Sequence, residues 1–138
     1  MTNDTLFEYA ARKGYCVLFF NLPSCKSLAV YDNGCYIGLD KALSLSEQKE
    51  LLSHELGHCE YGGFYNRYSG HDVRGKSEYR ANAWAFSNLT PPDDIESAIQ
   101  NGITTVWDLA EHFDVSYFFM KKALDYYTEA CGYVFDCV

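Results

Sequence analysis

Apolar residues recur at helical spacing at the start of the chain. Leu6, Phe7, Ala10 and Ala11 share one side of residues 4–13, and Gly14 is placed to end that helix. Three short runs rich in aromatic and β-branched residues follow, over 15–21, 27–32 and 35–39, each of strand length. Asp32-Asn33-Gly34 separates the second run from the third, and an Asn-Gly pair readily takes the positive φ of a tight hairpin. The three runs predict a small antiparallel sheet.

Helical spacing then returns. Residues 44–62 carry Leu52, Leu56 and Cys59 as an apolar stripe. Ser44 with Glu47 three residues later is a capping-box signature, Ser46 is an alternative cap, and Gly62-Gly63 stops the helix. Residues 64–75 are aromatic and punctuated by glycine, which predicts a loop. Residues 77–88 place Ala81, Trp84 and Ala85 on one side of a second helix. Thr90-Pro91-Pro92 opens a third, which runs to Gln100 and ends at Asn101-Gly102. Two more, over 106–113 and 116–127, are joined by a tight turn at Asp114. The fold class is therefore α+β: a three-stranded sheet packed on a helix pair, then a C-terminal helical bundle with a helix-turn-helix-like pair. With 138 residues and no repeat, low-complexity tract or linker, residues 1–138 are expected to form one domain. Residues 1–90 supply its sheet and helix pair, and 91–138 its helical remainder on the same core.

Charge narrows the partners. A net charge of -8 opposes binding to phosphate backbones and to anionic membrane surfaces. No apolar run approaches the ~20 residues that span a bilayer. Neither nucleic acid nor membrane is expected as a partner. The N-terminus is polar and lacks the basic start and apolar stretch of a secretory signal, so a cytoplasmic location is expected. In that compartment the six cysteines, which include no CxxC pair, are expected as free thiols, mostly small buried hydrophobes. Cys131 and Cys137 are the one pair whose spacing invites a bridge, and the compartment disfavours it.

The chemistry is concentrated in His54-Glu55-Leu56-Gly57-His58, inside the best helix of the chain. Residues four apart share a helix face, so both imidazoles reach one ion, and zinc accepts imidazole nitrogen at ~2.0–2.1 Å. Glu55 lies about 100° around the helix, beside the metal, where it can take a proton from an activated water. Gly57 leaves room near the site. HExxH fixes only three positions and also describes a solvated helix face. It gains weight here from the capped helix, the glycines behind it and a third ligand downstream.

A catalytic zinc site needs three protein ligands and an open position. Glu78, at the start of the next helix, is the candidate third ligand. His71 and Asp72, in the intervening stretch, are the alternatives. Glu60 is too close to His58 and faces elsewhere. Asn82 and Glu60 are candidates to orient the imidazoles through their other N–H. His71 or a tyrosine of the 61–68 stretch, Tyr65 among them, is a candidate donor to the oxyanion or to substrate.

His54-Glu55-Leu56-Gly57-His58, the block from Glu78 through Asn82 to Ala85, and Pro91 together resemble the ImmA/IrrE metallopeptidases of bacteria and their mobile elements. The resemblance covers residues 4–124 in order. It implies one zinc ion on His54, His58 and Glu78, with Glu55 as general base. It also implies an endopeptidase acting on a cytoplasmic protein, often a helix-turn-helix repressor of a phage or mobile element. No added C-terminal sensor domain is expected in a chain this short, so the sensing role of larger relatives is not carried over.

Two other readings remain beside it. One is a zinc-containing module that binds a repressor or toxin without cutting it, which the general base at Glu55 disfavours. The other is DNA binding through the C-terminal helix pair. There the second helix shows Tyr117, Phe118, Phe119 and Met120 where a DNA reader carries polar or basic residues, so packing is expected instead. Trp84 and Trp107 are expected as core anchors, and His112 as a surface or core residue. The aromatics near the C-terminus, Tyr126, Tyr127, Tyr133 and Phe135, either close the core or form an exposed patch.

Overall fold

The computed structural model describes residues 1–62 and 70–135. Its elements are α1 (Asn3–Lys13), β1 (Cys16–Phe20), β2 (Ser27–Tyr31), β3 (Cys35–Asp40), α2 (Leu45–Tyr61), α3 (His71–Leu89), α4 (Pro92–Gln100), α5 (Val106–Phe113) and α6 (Tyr117–Asp125), which continues into a π turn over Tyr126–Ala130. Two compact units divide the chain, Met1–Ala85 and Phe86–Val138. Among the described residues, no helix is long and apolar enough to cross a membrane.

The sheet departs from the antiparallel expectation. Its order is β1-β3-β2. β2 and β3 form the expected hairpin, Ser27 opposite Leu39 and Tyr31 opposite Cys35, with Asn33 and Gly34 at φ 54° and 155° in its turn. β1, however, pairs parallel with β3, Cys16 beside Tyr36 through to Phe20 beside Asp40. The six-residue connection 21–26 makes this possible. It needs to cross two strand spacings, about 10 Å, and has chain to spare. β3, with Cys35, Ile37 and Leu39 buried on one face, thereby takes the centre, while β1 stays largely exposed and β2 is half-buried over its first three residues.

α2 packs on β2 and β3, and α1 packs on α2 and β1. Leu6, Ile37, Leu39, Leu52 and Leu56 are fully or almost fully buried between them. The α2 start is the expected capping box: the Glu47 N–H donates to Ser44 Oγ and the Ser44 N–H to Glu47 Oε1, both at 3.2 Å. α3 begins six residues earlier than its sequence predicts, at His71. Gly70 accepts from the Arg74 N–H at 3.2 Å, so the backbone closes a helical turn there and Gly75 is carried inside the helix. A helical glycine costs about 1 kcal/mol relative to alanine, which packing of the following turns offsets.

The free-thiol expectation fails for one pair. Cys35 and Cys59 form a disulfide, their Cα atoms 5.8 Å apart. Packing of α2 on β3 brings two residues distant in sequence to a bridgeable separation, which spacing alone could not reveal. Cys16, Cys25 and Cys131 are free but exposed, not buried. Cys137 lies outside the described residues.

In the second unit, Thr105 and Ser116 cap α5 and α6, and Asp114 makes the turn between them at φ 54°. Ile95, Leu109, Met120, Ala123 and Tyr127 form the buried centre. Tyr127 and Phe135 close the core, whereas Tyr133 is 39% exposed. Trp84 is buried as expected, but Trp107 is 69% exposed and Phe118 75%. Trp107 is the second residue of α5 and lies on its outer side, where it stacks on Tyr117 at 4.3 Å. Each ring covers the other without either reaching the core.

Candidate metal centre

α2 presents His54 and His58 one turn apart, ring centroids separated by 4.8 Å and planes at 87°. α3 brings Glu78 to both. Its Oε2 lies 2.9 Å from His54 Nε2 and its Oε1 3.2 Å from His58 Nε2. One ligand atom from each of the three residues falls within 4.8 Å of the others. Ligand atoms held at ~2.0–2.1 Å around tetrahedral zinc are about 3.3 Å apart. The observed separations suit such an ion.

The far side of each ring supports the same assignment. His54 Nδ1 is 2.7 Å from Asn82 Oδ1, and His58 Nδ1 is 3.1 Å from Ser77 Oγ. With Asn82 Oδ1 accepting from Nδ1–H, His54 turns the lone pair of Nε2 towards Glu78, and a Ser77 hydroxyl that accepts does the same for His58. Two ring lone pairs and a carboxylate then converge on one point. Such a set calls for a cation, and its donors are those zinc prefers.

The helix crossing explains how the residues meet. A Cβ on Gly57 would lie 2.6 Å from the Ala81 carbonyl oxygen and 2.7 Å from the Ala81 Cα, so only glycine lets the two backbones touch. Gly57 stands between the two histidines, and Ala81 between Glu78 and Asn82. One close contact therefore sets the height of a carboxylate, an amide and a hydroxyl on α3 against two rings on α2.

Glu55 is 5% exposed, and its Oε1 sits 4.0 Å from His58 Nε2. Burial pushes its carboxyl above the usual carboxylate range, and Glu78 adds to this. His54, a hydrogen bond from the Ser27 side chain and His58 pull the other way. A carboxyl held in this balance is suited to taking up and releasing a proton. His58 and Glu55 are buried while His54 and Glu78 are only half-buried, so the cluster has a closed floor and an open side.

The remaining sequence candidates fall elsewhere. His71 and Asp72 are exposed at the start of α3. Seven helical residues place His71 about 10 Å along the axis from Glu78, and the three-residue cluster does not include it. Glu60 does not orient an imidazole. It accepts from the Tyr15 hydroxyl at 3.1 Å and faces Lys13 at 3.8 Å. Tyr65 and Tyr68 lie outside the described residues. His112 is a surface residue beside Phe113. Sequence reasoning missed Ser77 and Ser27. Ser77 directly precedes Glu78, a weak signal, while Ser27 reaches Glu55 only because β2 packs on α2.

No curated protein matches the chain. A protein family does. The profile of Peptidase_M78, the IrrE N-terminal-like domain, matches residues 10–125, a span that takes in α2, α3 and the whole cluster. Two histidines and a glutamate gathered at a helix crossing too close for a Cβ, within a match of that extent, lead to one conclusion: the chain belongs to the Peptidase_M78 family.

Proposed function

We propose that this protein is a zinc-dependent endopeptidase. His54, His58 and Glu78 hold one zinc ion, and Glu55 is the general base. The convergence of two Nε2 atoms and a carboxylate, with both Nδ1 atoms already engaged, carries the reading. Family membership supports a metallopeptidase. A zinc ion held there supplies Lewis-acid polarisation of a peptide carbonyl and makes a water more acidic. The protein's own residues do the rest. Asn82 and Ser77 fix the rings, the Ser27 side chain steadies the Glu55 carboxyl, and Glu55 takes a proton from the attacking water and delivers it to the leaving amine. The substrate is a cytoplasmic protein, and the resemblance to repressor-cleaving relatives makes a helix-turn-helix repressor of a phage or mobile element the first choice.

Co-expression with a neighbouring repressor, followed by mass spectrometry of the products, tests this. The wild type is expected to cut the repressor at a defined bond. Glu55→Gln is expected to bind zinc stoichiometrically and lose ~10²–10⁴-fold in rate. Purified protein without stoichiometric zinc, or Glu55→Gln with full activity, would sink the proposal.

A further inference from the structure

His58 sits in the last turn of α2, four residues before Gly62 caps it. Carbonyls of a last turn have no partner further along the helix, and helix ends open at low free energy. His54, one turn earlier, lies between the fully buried Leu52 and Leu56. Beside the contacts of His58 with Ser77 and Glu78, the turn that carries it has further polar ties. The Tyr15 hydroxyl reaches the Cys59 carbonyl at 3.5 Å and Glu60 at 3.1 Å, and Lys13 faces Glu60 at 3.8 Å. Its covalent tie is the Cys35–Cys59 bond, formed by the residue directly after His58. The other end of that bond is the first residue of β3, a strand paired on both sides. His54, Glu55 and His58 all lie within the segment that the bond closes.

Resting on the zinc reading, we infer that the Cys35–Cys59 disulfide is a reducible clamp on the metal-bearing turn, so that the protein retains zinc more tightly when oxidised than when reduced. A dithiol supplies the electrons. One thiolate attacks a sulfur of the Cys35–Cys59 bond to give a mixed disulfide. The second thiolate then displaces the remaining cysteine, leaving Cys35 and Cys59 as thiols and the donor as its own disulfide. The last turn of α2 then keeps its packing at Gly57 and its polar contacts but not its covalent tie to β3, and His58 is held less firmly against Glu78.

The test is zinc affinity by competition with a chromophoric chelator. Full-length protein is compared after mild oxidation and after reduction by a trialkylphosphine, which does not introduce a chelating thiol and is removed anaerobically before titration. Reduced wild type is expected to bind zinc at least tenfold more weakly and to melt on the order of 10 °C lower. Cys35→Ser, which leaves the residue beside His58 in place, is expected to behave like the reduced form in both states. Equal affinity in the two wild-type states overturns the clamp alone, as does mass spectrometry showing both thiols alkylated after oxidation. Failure of both states to bind one zinc overturns the zinc reading and the clamp with it.

Discussion

The two units use their interiors differently. Among the described residues, the first unit buries Lys49, Ser53, Glu55, His58 and Ser77, whereas the second buries one polar residue, Thr90. Thr90 is fully engaged: its hydroxyl donates to the Phe86 carbonyl at 2.9 Å, and its own carbonyl accepts from the Tyr127 hydroxyl at 2.8 Å. The second unit is thus an apolar helical core with a single satisfied polar node. The first carries an acid and an imidazole where leucines would be more stabilising, because burying charge is expensive unless something compensates it. Polar groups retained in a core at that expense mark the part of a molecule built for chemistry.

The sharpest way to break this comparison is Gly57→Ala. Its Cβ must push α3 away at Ala81, so stability should fall by ~3 kcal/mol in denaturant titration and stoichiometric zinc should be lost. Retained zinc would mean that the crossing does not set the site. Asn82→Ala comes next. It removes the acceptor on His54 Nδ1 and should weaken zinc ~10–100-fold by chelator competition while leaving the fold intact. In the second unit, Tyr127→Phe deletes a buried hydrogen bond and should lower unfolding free energy by about 1 kcal/mol with zinc affinity unchanged. A change in zinc affinity there would couple what the comparison keeps apart.

The smallest effect concerns the α2 cap. The Ser44 backbone N–H, then Lys26, hold the exposed Glu47 carboxyl below the usual carboxylate range. A folded value below the unfolded one gives stabilisation that is complete above the unfolded value and fades as pH falls through the folded one. Glu47→Gln should therefore lower the melting temperature slightly at neutral pH, with the difference from wild type vanishing as the pH falls through the acid side of the curve.

The local chemistry of the chain was enough to place the α2 capping box, the Asp32-Asn33-Gly34 hairpin, the Asp114 turn and the two histidines one helical turn apart. Each of these depends on neighbours within a few residues, where backbone preference and helix period dominate. Glu78 was legible as a candidate ligand from its place at the start of the next helix and from the family resemblance, and Asn82 as one of two candidates to orient an imidazole. Tertiary packing decided the rest. It paired β1 with β3 in parallel, with the connection 21–26 carrying the chain past β3 to the far edge. It joined Cys35 to Cys59, turned Trp107 outward, and set Ser77 on His58 and Ser27 on Glu55. All of these join residues far apart in the chain, and their meeting depends on how closely α2 approaches α3 and the sheet. At α3, that approach is governed by the missing side chain of Gly57.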